Sequence, residues 1–102
     1  MTSYQIRFTK EAENDLLRLY DFLLENSADI QLAEQALNNI QQAIRLLEIF
    51  PFSCRKADTN TLYIRELLIP FGESGYVALF EIEPYQIVTI LAVRHQRESD
   101  YH

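Results

Sequence analysis

This 102-residue chain has one cysteine, two glycines and two lysines, and each shortage excludes something. The single Cys54 has no internal partner for a disulfide, which fits a reducing cytoplasm. Its neighbours Arg55 and Lys56 are of the kind that lower a thiol pKa, yet no base stands beside it in sequence, so an inert loop cysteine is the reading. Both glycines fall within Pro70–Gly75, which marks that stretch as a loop. No apolar run approaches the ~18 residues that span a bilayer, and Met1-Thr2-Ser3-Tyr4-Gln5 lacks the basic and apolar regions of a secretory signal. Positive charge is also short: nine Lys+Arg stand against fifteen Asp+Glu, a formal net charge of -6. A protein that grips nucleic acid through its phosphates shows the opposite balance. No His, Cys and carboxylate spacing suits a metal, and no metal or organic cofactor is expected. The chain also lacks internal repeats and low-complexity segments.

What remains suits one packed domain over 1–102, because 48% of the residues are hydrophobic. Tyr4, Ile6 and Phe8 alternate with Gln5 and Arg7, the period-two signature of a half-buried strand. Thr9 follows as an N-cap, with Glu11 and Glu13 at the positive end of a helix running to about Asn26. Ala12, Leu16, Leu19, Tyr20 and Leu23 give that helix one apolar stripe. Asn26-Ser27-Ala28-Asp29 breaks the pattern, and a second helix runs from there to about Phe50, where Pro51 stops it. The short turn between them implies an antiparallel helical hairpin. Phe52–Thr61 reads as an irregular connection, and strands are expected at Leu62–Ile69, Tyr76–Glu83 and Ile87–Val93. The order β-α-α-β-β-β gives an α+β fold, an antiparallel sheet covered on one face by the helical hairpin.

Function points to the last strand. Ile87 to Val93 is apolar or β-branched throughout and reads as buried on both faces. It runs directly into Arg94-His95-Gln96-Arg97 and Tyr101-His102, so a rigid mount presents two arginines, both histidines and a tyrosine. Arg65 sits among apolar neighbours on an earlier strand, where it either contacts a partner or pairs with Glu81 or Glu83 across the sheet. His95 either moves a proton or caps the strand end. A second apolar face on the helices, Leu17 and Leu24 on the first and Leu46 and Ile49 on the second, joins Phe71 in the loop as apolar surface in excess of one stripe per helix. Such strips mark partner sites, unless a wide sheet simply covers them.

These parts, in this order, resemble the RelE/ParE superfamily of toxins from bacterial toxin–antitoxin modules, and its ParE (plasmid-stabilisation) branch most closely. The resemblance rests on Tyr4-Gln5-Ile6-Arg7-Phe8-Thr9 before Ala12-x-x-Asp15-Leu16, Tyr20 on the first helix and Phe50-Pro51 ending the second. Arg65, Tyr76 and Ile90-Leu91-Ala92-Val93-Arg94-His95-x-x-Arg97 complete it. It implies a cytoplasmic growth inhibitor silenced by a cognate antitoxin, with DNA gyrase as the usual target in the ParE branch. Target contact would fall to Arg65, Arg94, His95, Arg97 and Tyr101, and antitoxin contact to Leu17, Leu24, Leu46, Ile49 and Phe71. The RelE branch implies instead a metal-independent endonuclease cutting mRNA on the ribosome, with Arg65, His95, Arg97 and Tyr101 as its catalytic set. An inactive antitoxin-binding scaffold is the third reading. RNA cleavage needs a base, an acid and clustered cations. The lysines Lys10 and Lys56 lie off the expected strands, so composition favours the gyrase reading.

Overall fold

The computed structural model describes residues 3–27, 29–58, 61–72 and 74–96. The first strand, β1 (Gln5–Phe8), turns Ile6 toward the core while Gln5 and Arg7 face water. Thr9 then opens α1 (Lys10–Ser27), its hydroxyl accepting the Ala12 N–H at 3.1 Å. Asp29 does the same for α2 (Ile30–Arg45), accepting from Leu32 N–H at 3.2 Å. Only residues 28 and 29 separate the helices, so α2 folds back along α1.

The second helix ends earlier than its periodicity predicts. Beyond Arg45 the chain tightens into a 3₁₀ turn, Leu46–Glu48. Phe50, at φ -126 and ψ 51, has left helical space because the ring of Pro51 crowds the residue before it.

Four more strands follow: β2 (Arg55–Asp58), β3 (Thr61–Phe71), β4 (Ser74–Glu83) and β5 (Ile87–His95). They form a five-stranded sheet in the order β1-β5-β4-β3-β2. The α+β hairpin-on-sheet architecture is the expected one, with two corrections. The stretch expected to be an irregular connection contains β2, antiparallel to β3 with Arg55 opposite Glu66 and Lys56 opposite Arg65. Lys56 therefore does lie on a strand. The sheet is also mixed, because β1 pairs with β5 in parallel. The expected Pro70–Gly75 loop shrinks to a tight turn, with Gly72 at φ +63 between two strands that run on through Phe71 and from Ser74.

Alternation along β4 sends Tyr76, Ala78 and Phe80 toward the helices, where they are almost fully buried. Ile40, Ile44 and Leu47 meet them from the second helical segment, and Val88, Ile90 and Val93 from β5. Ala12 and Ala36 bring the helices close. Each large apolar side chain so buried contributes about 1.5–3 kcal/mol.

The last strand contains the irregularity that sets up the site. Phe80 pairs with Ile90 but Leu79 pairs with Ala92, so Leu91 is an extra residue, a β-bulge. The bulge inverts the alternation: even-numbered Val88 and Ile90 face the helices before it, odd-numbered Val93 and His95 after it. β1 stops at Phe8, opposite Ile90, and α1 covers the exposed edge beyond. Thr9 N–H donates to the Ile90 carbonyl at 3.0 Å, and its hydroxyl donates to the Leu91 carbonyl at 3.2 Å. Asp15 Oδ2 accepts the Val93 N–H at 2.9 Å.

Asp15→Ala removes the acceptor from a part-buried backbone donor, so a loss of about 1–3 kcal/mol is expected. Urea unfolding followed by circular dichroism measures it, and Asp15→Asn, which keeps an acceptor oxygen, recovers part of the loss.

Candidate functional site

Ile69, Tyr76 and His95 lie side by side across β3, β4 and β5, all on the helix-facing side. His95 reaches that side only because of the bulge at Leu91. Its Nε2 shares a hydrogen bond with the Ser74 hydroxyl at 3.0 Å, and its ring meets Tyr76 edge-on with centroids 5.5 Å apart. Tyr76 in turn packs against Phe71 at 6.1 Å. Burial pushes the Tyr76 phenol up from its ordinary value, so near neutral pH it is a protonated wall rather than a base.

Tyr76 and His95 form the floor of a groove of about 730 Å³ between α1 and the β3–β4 turn. Leu19, Leu23 and Phe71 make its apolar wall. Arg18 and Phe22 stand on α1 as further lining, Phe22 with 57% of its surface exposed. Arg18 also approaches Asp15 at 3.8 Å. A second groove, of about 650 Å³, runs between the helices past Leu17, Tyr20 and Leu37, with Glu13 and Glu34 along it.

The other residues expected to carry function are spread over the molecule. Arg65 shares the helix-facing side with Tyr76 and His95 but sits four residues before Ile69 on β3, roughly 13 Å away along a strand. It does not pair with Glu81 or Glu83. Its guanidinium donates to the Cys54 carbonyl at 2.6 Å and lies 5.3 Å from the centroid of the Phe52 ring. Glu66, on the opposite side of β3, pairs instead with Arg55. Arg94 follows the alternation to the face away from the helices, opposite Val77. Arg97 and Tyr101 lie outside the described residues.

Of the residues expected at an antitoxin contact, Leu17, Leu46 and Ile49 are half or more exposed, Leu17 at 64%. Leu24 is half-buried. Phe71 packs against the core as well as lining the groove. The sequence reading passed over Arg18, Phe22 and Ser74. The helical spacing of Arg18 and Phe22 with Leu19 and Leu23 was a usable signal for the first two. Nothing in sequence marks Ser74 as the partner of a histidine twenty-one residues later.

Among the described residues no cluster of three or more His, Cys, Asp or Glu side chains is arranged to hold a metal ion. Nor is any helix among them long and apolar enough to cross a membrane. Cys54 does not have the lowered pKa that Arg55 and Lys56 imply. Burial pushes its thiol up, and the nearby Arg65 charge and the Ser53 hydroxyl offset only part of that.

The strand order and the helical hairpin define a two-layer α+β fold. A family model described as the ParE toxin of type II toxin–antitoxin systems matches residues 6–100. The chain belongs to this family, the ParE branch of the RelE/ParE superfamily, and is the toxin component of a type II module. Solved structures share the fold. The chromosomal ParDE system of P. aeruginosa superposes with a TM-score of 0.76 at 17% identity, over 91% of this chain and 96% of that one. The RelBE2 toxin–antitoxin complex of Mycobacterium tuberculosis gives 0.62 at 21%, over 93% and 100%. A free arginine-to-alanine mutant of the E. coli toxin RelE gives 0.58 at 15%, over 96% and 88%. No curated protein sequence matches the chain.

With its thiol pKa raised, Cys54 in the native chain reacts more slowly with a disulfide reagent at pH 7 than a free cysteine does. Unfolding in urea should restore the ordinary rate, as read by release of thionitrobenzoate.

Proposed function

We propose that this toxin acts in the cytoplasm by holding DNA gyrase in a state with cleaved DNA, and that a cognate antitoxin encoded beside it keeps it silent. The observation that carries the reading is the separation of His95 from Arg65, considered within a ParE-family fold. The Ser74 hydroxyl and the ring of Tyr76, a phenol that stays protonated, stand beside His95. Arg65 is roughly 13 Å further along the sheet and engaged with backbone carbonyls. Ribonuclease chemistry asks for a base, an acid and cations converging on one phosphate. Poisoning by contact asks only for a surface that binds one conformation of a large partner more tightly than the others.

The surface suits that task. β5 is fixed on both sides and delivers its end to solvent with Arg94 and His95 on opposite faces, while Arg97 and Tyr101 follow in sequence. Arginine and tyrosine are the side chains that dominate protein contacts energetically. The exposed apolar residues Leu17, Leu46 and Ile49 supply area for an antitoxin that folds as it binds.

Two assays on the purified chain decide between the targets: gyrase supercoiling with a readout for trapped DNA cleavage, and mRNA cleavage on programmed ribosomes. Inhibited gyrase with intact mRNA is the expected result, and cleaved mRNA with untouched gyrase would overturn it. His95→Ala and Arg97→Ala should each relieve growth inhibition while antitoxin binding survives, measured by plating efficiency alongside co-purification.

A further inference from the structure

His95 is the last residue of β5, and its half-buried side chain lines the same groove as Ser74. A side chain at a strand end with water beside it ordinarily changes rotamer freely. Two described contacts restrain this one. The Ser74 hydroxyl shares a hydrogen bond with Nε2 at 3.0 Å, and the Tyr76 ring stands edge-on to the imidazole at 86° between planes.

Ser74 is itself held in place. It opens β4 directly opposite Phe71, the last residue of β3, so only two residues separate the strands. Asn39 of α2 donates to the Pro70 carbonyl at 2.7 Å and pins the turn to the helical layer. Gly75 lies so close to β3 that a Cβ there would collide with the Ile69 carbonyl oxygen, so only glycine lets β4 leave the turn along this path. The Gly75 carbonyl accepts the Gln96 N–H at 2.8 Å, which ties the end of β5 to the start of β4. In the ladder Tyr76 pairs with His95, and Ser74 is the diagonal neighbour, within the roughly 7–8 Å that a long side chain can cross. A hydroxyl is thus offered to the imidazole from a fixed point. The strands it joins are already laddered, so the bond adds little to the sheet. What it restricts is the imidazole.

We infer that Ser74 is a positioning residue, which from the β3–β4 turn holds the His95 imidazole in the orientation that meets the toxin's target. The inference rests on the gyrase reading, in which His95 is a contact, and adds the residue that presents it. A side chain already set in its bound orientation loses less freedom on docking, an advantage of roughly two- to tenfold in affinity.

Wild type, Ser74→Ala and Ser74→Thr are compared in the gyrase supercoiling assay, with thermal unfolding followed by circular dichroism. The imidazole nitrogens of His95 are observed by nitrogen–proton NMR on each labelled chain and assigned by their loss in His95→Gln. Ser74→Ala should raise the concentration for half-inhibition roughly three- to tenfold and shift the His95 nitrogen resonances, with the melting curve unchanged. Ser74→Thr keeps the hydroxyl and should return both readings to those of wild type. Unchanged inhibition by Ser74→Ala overturns the inference. Weaker inhibition with unmoved imidazole resonances also overturns it, because the serine then acts without the histidine. A Ser74→Ala chain that no longer melts cooperatively gives the serine a folding role instead, and that too overturns it. A wild-type chain without effect on gyrase overturns the gyrase reading, and this inference falls with it.

Discussion

β5 is nine residues long and its parallel neighbour β1 only four, so half of one edge of the sheet's second strand has no strand beside it. Buried backbone groups do not tolerate that. The start of α1 resolves it: Thr9 serves the Ile90 and Leu91 carbonyls and Asp15 serves the Val93 N–H. One side chain, the Thr9 hydroxyl, both caps the helix and holds the bulge. The register of α1 on the sheet, the inverted alternation past Leu91 and the direction of His95 all depend on these few hydrogen bonds.

Most of the architecture could be read from periodicity, and the failures have physical causes. The helices, β3, β4 and β5 each carry a pattern that matches their burial, so their existence was plain in the residues. β2 carries none. Arg55-Lys56-Ala57-Asp58 is strand only because β3 offers it a ladder and Glu66 offers Arg55 a charge. The bulge is invisible for a related reason: Ile90, Leu91, Ala92 and Val93 are all apolar, so the sequence does not say where the alternation slips. His95 was legible as a candidate, but its facing, its serine partner and the groove above it were not. Arg65 shows the opposite case, a conspicuous strand arginine whose partners are the carbonyls of a neighbouring turn and the face of Phe52.

The two outermost strands, β1 and β2, have four residues each, and β2 bears Arg55 and Lys56. A sheet grows by adding strands to its margins, and margins this brief, one of them cationic, give a second copy little to pair with. Outer strands this short work against self-pairing in a toxin parted from its antitoxin.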